Sequence, residues 1–135
     1  MGDAVNLASR LEGLTKKYGV TMIVGEATRA ALHDMAFREL DRVRVKGKDE
    51  PVTIYEPLGP HDEVPKEVLD RLKLFQQALK FYRAQDWDKA ELQLLNLQRM
   101  APDDALFATY LDRISHLRAR PPIDPWDGVF DFDSK

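Results

Sequence analysis

Residues 37–55 read FRELDRVRVKGKDEPVTIY, and this stretch predicts a β-hairpin. The apolar positions of its first half are Phe37, Leu40, Val43 and Val45. Charged residues separate them, with one break in the alternation near Asp41, and such a period of two indicates a strand with one buried face. A polar turn at 46–50 leads to a second, partly β-branched strand at 52–55.

Upstream of this hairpin, helix and strand patterns alternate. Asp3 can cap a helix that runs to about Lys17, and Gly19 is well placed to end it. The apolar residues at helical spacing are Ala4, Leu7, Ala8, Leu11 and Leu14. Residues 21–24, TMIV, predict a short buried strand, and residues 26–33 predict a short helix. The alanines expected on one side of that short helix are Ala27, Ala30 and Ala31.

Downstream of the hairpin the pattern becomes helical. Residues 60–65 form a predicted linker with two prolines, and three helices follow, to about Ala84, about Met100 and about Arg118. The tail at 120–135 is rich in proline and cannot form a regular helix. Because it carries large apolar residues, we expect it to dock on the helices.

The composition excludes several classes of function. The 135 residues are 44% hydrophobic and 32% charged, which suits a chain that buries a core. A net charge of -3 gives no basic field for nucleic acid, and the absence of cysteine excludes disulfides and thiolate metal sites. The histidines, at positions 33, 61 and 116, lack ligand spacing and are expected on the surface.

The sequence contains no signal peptide and no apolar run of the roughly 20 residues that a membrane helix needs. We therefore expect no membrane contact from this segment and a cytoplasmic location. Its first residues already have the pattern of an amphipathic helix, so we also expect the chain to be the C-terminal piece of a longer protein.

Asn6 and Arg10 form the first candidate site on the opening helix. They are four residues apart and share one face, while the apolar set is turned roughly 100° away. The helix can thus pack by one side and present an amide and a guanidinium from another. Taken alone, such a pair is more often a solvated surface pair.

Lys46 and Lys48 form the second candidate site, in the turn of the predicted hairpin. Two ammonium groups around Gly47 can meet a phosphate, because glycine lets the backbone approach closely. The alternative interpretation is a charged turn that only increases solubility.

Together these residues resemble a known family. Residues 2–12, GDAVNLASRLE, look like the hallmark helix of class III adenylate and guanylate cyclase catalytic domains. The resemblance continues in order and spacing through 18–19, 23–24, 45–48, 51–52 and 55–56. It covers residues 1–59, which it identifies as the C-terminal part of a ferredoxin-like α+β domain.

The resemblance implies a role for three residues. Asn6 matches the residue that positions the ribose, Arg10 matches the one that meets the reacting phosphate, and Lys46 matches the one that binds the triphosphate. The implied reaction converts ATP to 3′,5′-cyclic AMP and pyrophosphate. The choice between ATP and GTP stays open, because the residues that read the base in this family are not among those matched here.

The resemblance also implies a homodimer whose shared sites draw on both subunits. The carboxylates that hold Mg²⁺ or Mn²⁺ lie upstream of the matched helix in this family. We therefore expect residues 1–135 alone to hold no metal ion and to make no cyclic nucleotide.

Residues 66–119 have a weaker resemblance, to a single tetratricopeptide repeat. The matching positions are Leu74, Ala78, Phe81, Ala90, Leu94, Leu97 and Pro102. The alternative is a helical hairpin that only packs, since one repeat is too few for a groove. A competing hypothesis for the whole chain is accordingly a non-catalytic module whose helices mediate protein contacts.

Overall fold

The computed structural model describes residues 11–44, 50–123 and 126–131. These residues form a mixed α+β structure, which confirms the predicted fold class. Two compact units divide the chain: Met1–Val64 with Val129–Lys135 make the first, and Pro65–Gly128 make the second.

The helix predicted to reach Lys17 is interrupted. Its predicted start lies outside the described residues, and a turn at Gly13 and Leu14 separates Leu11 from α1, Thr15–Tyr18. Gly13 disfavours a continuous helix, because glycine has a low helix propensity. The Thr15 hydroxyl also donates a hydrogen bond to the Glu12 backbone carbonyl at 2.9 Å, which competes with helical hydrogen bonding. Gly19 ends α1 in the left-handed conformation, with φ of 69°, as predicted.

The prediction of a buried strand at 21–24 is wrong. Ile23 is buried, but Met22 is 56% exposed, and only Val24 forms a β-bridge, to Tyr55. A strand needs ladder partners along its length, and this segment finds one at a single residue. The short helix predicted at 26–33 is present as α2, Glu26–Ala31, and its three alanines are exposed.

The hairpin is confirmed as β1, Met35–Arg44, paired antiparallel with β2, Val52–Pro60. The predicted break near Asp41 is a shift of register between Glu39 and Asp41. Because of this bulge, the neighbours Leu40 and Asp41 are both fully buried. Phe37 is half-buried outside that core, with its ring 6.4 Å from that of Tyr55.

The segment predicted as a linker contains a turn of 3-10 helix, His61–Glu63. The tail is divided between the two units. Trp126 packs within the helical unit, whereas β3, Phe130–Asp131, pairs in parallel with β1 and gives the sheet order β2-β1-β3. Two residues are too few to show a strand pattern, so the sequence did not predict β3.

The second unit is helical, as predicted. Its helices are α3, Lys66–Arg83; α4, Trp87–Met100; and α5, Ala105–Ala119. Asp86 and Asp104 cap the starts of α4 and α5 through side-chain hydrogen bonds. The buried core consists of Phe75, Ala78, Leu79, Tyr82, Ala90, Leu94, Leu97, Leu106, Phe107, Tyr110 and Ile114. Within the described ranges, no helix has both the length and the apolar character needed to cross a membrane.

Candidate functional site

The three predicted site residues lie outside the described part of the chain. Asn6 and Arg10 precede Leu11, the first described residue, and Lys46 falls within residues 45–49. The structure does describe the segments that adjoin them on the chain.

The segment after Arg10 is anchored in the core of the first unit. Leu11 is 4% exposed, and Leu14 and Tyr18 are buried as well. The Leu14 amide donates to the Leu11 carbonyl at 3.0 Å, and the Lys17 and Tyr18 amides donate to the Leu14 carbonyl. Leu11, the first described residue and the one directly after Arg10, is therefore part of the buried core.

The segment before Lys46 is held from both edges of β1. Val43 is fully buried and pairs with Val52 of β2 and with Phe130 of β3. Arg44, two residues before Lys46, lies 3.6 Å from Asp131 between the Nη1 and Oδ2 atoms. The described backbone that leads into the predicted phosphate-binding turn is thus paired on two sides.

A buried hydrogen bond connects these two segments. The Tyr18 hydroxyl donates to Asp41 Oδ2 at 2.5 Å, and both side chains are at most 1% exposed. The Arg42 amide donates to Asp41 Oδ1 at 2.8 Å. Among the described residues, Asp41 is the one charged group in the buried core. Sequence reasoning noted the broken alternation at Asp41 but not this partner.

A second polar cluster lies on the surface of the first unit. Arg29 donates to both carboxylate oxygens of Glu26, at 2.7 and 2.5 Å, and its guanidinium carbon lies 5.2 Å from the centre of the Tyr55 ring. The hydrogen bond from Arg29, followed by one from Tyr55, lowers the pKa of Glu26 to about 2. Burial and the hydrogen bond to Glu26 raise the pKa of Tyr55 to about 12.

The described residues do not supply a metal site. Within the ranges 11–44, 50–123 and 126–131, no three carboxylate, imidazole or thiol side chains are close enough together to hold an ion. The three histidines are exposed, as the sequence predicts.

The helical unit contains an aromatic cluster made by Tyr82, Trp87 and Trp126, with ring centres 5.4 to 5.8 Å apart. Arg118 links α5 to α4 through Asp88 at 2.7 Å and Glu91 at 3.0 Å. These contacts stabilise the packing of the helical unit.

Comparison with known proteins finds adenylate cyclases. The chain is 48% identical over 60 residues to an adenylate cyclase of Anabaena cylindrica, a match that covers 42% of the chain and 12% of that protein. It is 45% identical over 60 residues to adenylate cyclase 1 of Rhizobium meliloti, covering 44% of the chain and 9% of the relative. No family model matches the chain, and no solved structure matches it significantly.

A third relative matches over a much longer stretch. The terminal-differentiation-specific adenylate cyclase of Dictyostelium discoideum is 34% identical over 119 residues, covering 84% of the chain and 6% of that protein. Since 84% of 135 residues is about 113, at most about 22 residues lie outside this match. The helical unit, Pro65–Gly128, is longer than that, so most of it belongs to the match.

The chain therefore spans only about 6 to 12% of the length of these relatives. The identities and the mixed α+β structure together show that it carries a segment homologous to the adenylate cyclases.

Proposed function

We propose that the chain is a segment of an adenylate cyclase and contributes one set of residues to an active site that converts ATP to 3′,5′-cyclic AMP and pyrophosphate. The identity of 48% over 60 residues to an adenylate cyclase carries this proposal. In it, Asn6 orients the ribose, Arg10 meets the α-phosphate, and Lys46 binds the triphosphate.

The chemistry suits these side chains. The ribose 3′-oxygen attacks the α-phosphorus in line, the bond to the oxygen that leaves with pyrophosphate breaks, and the proton of the 3′-hydroxyl passes to solvent water. Negative charge grows on the non-bridging and leaving oxygens during this step. A guanidinium stays charged at any working pH and offers a fork of donors, so Arg10 can stabilise that charge.

Lys46 has a different task in this proposal. The triphosphate is already charged before the reaction, so an ammonium group that contacts it lowers the free energy of bound substrate and transition state together. Pairing of Val43 with both β2 and β3 fits this task, because it supports the strand that leads to Lys46.

The proposal places the metal-binding groups elsewhere. The described residues offer no set of donors that fits Mg²⁺ or Mn²⁺. We propose that carboxylates outside residues 1–135 bind the ion, and that two subunits complete a shared site. The isolated chain is then expected to produce no cyclic AMP from ATP and Mn²⁺, and turnover above a blank without enzyme would contradict this arrangement.

Substitutions in the full-length protein test the assigned roles. Asn6→Ala and Arg10→Ala should each lower kcat by about 100- to 1,000-fold, the usual cost of losing one transition-state donor. Lys46→Ala should mainly raise KM for ATP. The assay is cyclic AMP production over a range of ATP concentrations, with GTP as the competing substrate.

Two variants serve as matched controls. Lys80→Ala removes an exposed ammonium from α3, and Arg120→Ala removes an exposed guanidinium after α5. Both should keep kcat and KM near those of the wild type. Near-native turnover of Arg10→Ala would refute its assigned role. It would favour the competing hypothesis, a non-catalytic module whose helices mediate protein contacts.

A further inference from the structure

We propose that Tyr18 and Asp41 form a positioning pair that keeps the segment after Arg10 in register with the strand that leads to Lys46. This inference rests on the proposed function of those two residues. In this proposal neither Tyr18 nor Asp41 contacts the nucleotide.

The geometry of the pair is specific. Tyr18 is the last residue of α1, and its hydroxyl reaches Asp41 of β1 at 2.5 Å across 23 residues of chain. Tyr18 is 1% exposed and Asp41 is fully buried, so water does not compete for this hydrogen bond. The Arg42 amide orients the other carboxylate oxygen from 2.8 Å.

The bulge in β1 explains why a carboxylate is available there. Leu40 and Asp41 are consecutive yet both buried, whereas an unbroken strand would send them to opposite faces of the sheet. Burial of a charge is unfavourable unless strong donors meet it. Asp41 meets Tyr18 and the Arg42 amide, so the bulge and the hydrogen bond occur together.

The position of the pair along the chain gives it a functional consequence. Tyr18 follows Arg10 by eight residues, and Asp41 precedes Lys46 by five. Helical continuity does not fix the register of the first segment, because the turn at Gly13 and Leu14 interrupts it.

Apolar burial also anchors this segment, and it is less directional than the hydrogen bond. Leu11 and Leu14 are held by apolar burial, which opposes sliding only weakly, whereas a hydrogen bond restricts both distance and angle.

The test uses the full-length protein and compares Tyr18→Phe, Asp41→Leu and Asp41→Asn. Tyr18→Phe removes only the donor, and Asp41→Leu removes the acceptor at similar volume. Both should lower kcat by about 10- to 100-fold with little change in KM for ATP, because small misplacements of a reacting group have costs of that order. Asp41→Asn keeps one oxygen that can accept from the Arg42 amide, and its NH2 group can donate to the Tyr18 oxygen, so this variant should retain most of kcat.

Tyr110→Phe is the matched control for loss of structure alone. It removes a hydroxyl from an equally buried tyrosine, in α5 of the helical unit, and should leave kcat unchanged. All rates are measured well below the melting temperature of each variant, so that unfolding does not contribute. If Asp41→Leu fails to fold, Tyr18→Phe and Asp41→Asn still decide the question.

The outcomes separate the two proposals. Full kcat in Tyr18→Phe, in a protein whose Arg10→Ala variant is inactive, would overturn the positioning role alone. Equal losses in Asp41→Asn and Asp41→Leu would also overturn it, because the retained hydrogen-bonding groups would then have no effect. A folded full-length protein that makes no cyclic AMP at all would overturn the proposed function and this inference with it.

Discussion

Glu26 is an exposed carboxylate whose titration is governed by two neighbours. Arg29 binds both of its oxygens, and Tyr55 adds a hydrogen bond, so that the pKa of Glu26 falls from 4.5 to about 2. A lowered pKa means that the native state binds the proton less tightly than the unfolded chain does. The resulting contribution to stability is fully present above pH 4.5 and is lost as the pH falls toward 2.

Removal of Arg29 should return Glu26 to an ordinary carboxylate. We expect Arg29→Gln to raise the pKa of Glu26 toward 4.5, because the hydrogen bond from Arg29 is the main cause of its lowering. An NMR titration of the side-chain carboxyl carbons measures the change. Arg99→Gln is the control, since Arg99 hydrogen-bonds Asn96 in the helical unit and should leave Glu26 unchanged. A Glu26 pKa that stays near 2 in Arg29→Gln would contradict this account.

At the scale of the elements, the end of α1 depends on a single glycine. Gly19 has φ of 69°, and a side chain in this left-handed region costs about 1–2 kcal/mol. Gly19→Ala should therefore destabilise the first unit by about that amount. Gly25→Ala is the matched control, because Gly25 has φ of -91° and an added Cβ would meet Leu11 Cδ1 at an ordinary 3.8 Å.

Hydrogen exchange can measure this difference within the first unit. The Val24 and Tyr55 amides donate to each other's carbonyls at 2.9 Å, so both report on the bridge that joins residues 21–24 to β2. Gly19→Ala should speed their exchange by about 5- to 30-fold, whereas Gly25→Ala should change it little. Equal rates in the two variants would show that the left-handed turn does not limit the stability of this unit.

Regular patterns made the hairpin and the helices predictable. The broken alternation near Asp41 predicted the irregularity in β1, because one extra residue moves the next side chains to the opposite face. Residues 21–24 had the composition of a strand, but only Val24 finds a pairing partner. Composition describes the segment and not its neighbours, so the sequence alone could not exclude that strand.

The candidate site was only partly predictable for a related reason. Asn6, Arg10 and Lys46 were found through spacing and resemblance, and they lie outside the described residues. The Tyr18–Asp41 hydrogen bond joins residues that are 23 positions apart, and no local pattern encodes such a contact. The tail strand β3 is equally non-local, because its residues pair with Val43 and Arg44, which lie 87 positions earlier in the chain.

At the scale of the whole molecule, the helical unit is shared with at least one relative. Most of Pro65–Gly128 lies within the match to the Dictyostelium discoideum adenylate cyclase. The sequence of this segment therefore accompanies the cyclase-like segment in both proteins. The resemblance to a tetratricopeptide repeat stays a prediction. Ala78 and Ala90 are buried at its small positions, whereas Leu92 and Leu95 are exposed.

The tail contributes to the stability of the helical unit through Trp126. Its ring lies 5.4 Å from that of Tyr82 and 5.8 Å from that of Trp87. Gly128 follows with φ of 74°, and a Cβ there would lie 2.7 Å from Arg83 Cγ, so the backbone approaches α3 closely. Three aromatic rings in contact also gain from their edge-to-face geometry, beyond the area that they bury.

Trp126→Ala should accordingly lower the free energy of unfolding of the helical unit by about 2 kcal/mol, the value of burying most of a large apolar side chain. Ile123→Ala is the control from the same tail, because Ile123 is 91% exposed and its loss should cost less than about 0.5 kcal/mol. Both tryptophans of the chain, Trp87 and Trp126, belong to this unit. In Trp126→Ala the remaining tryptophan is Trp87, so its fluorescence during urea unfolding reports on the helical unit alone. Equal unfolding midpoints for the two variants would show that the tail lies on the helices without stabilising them.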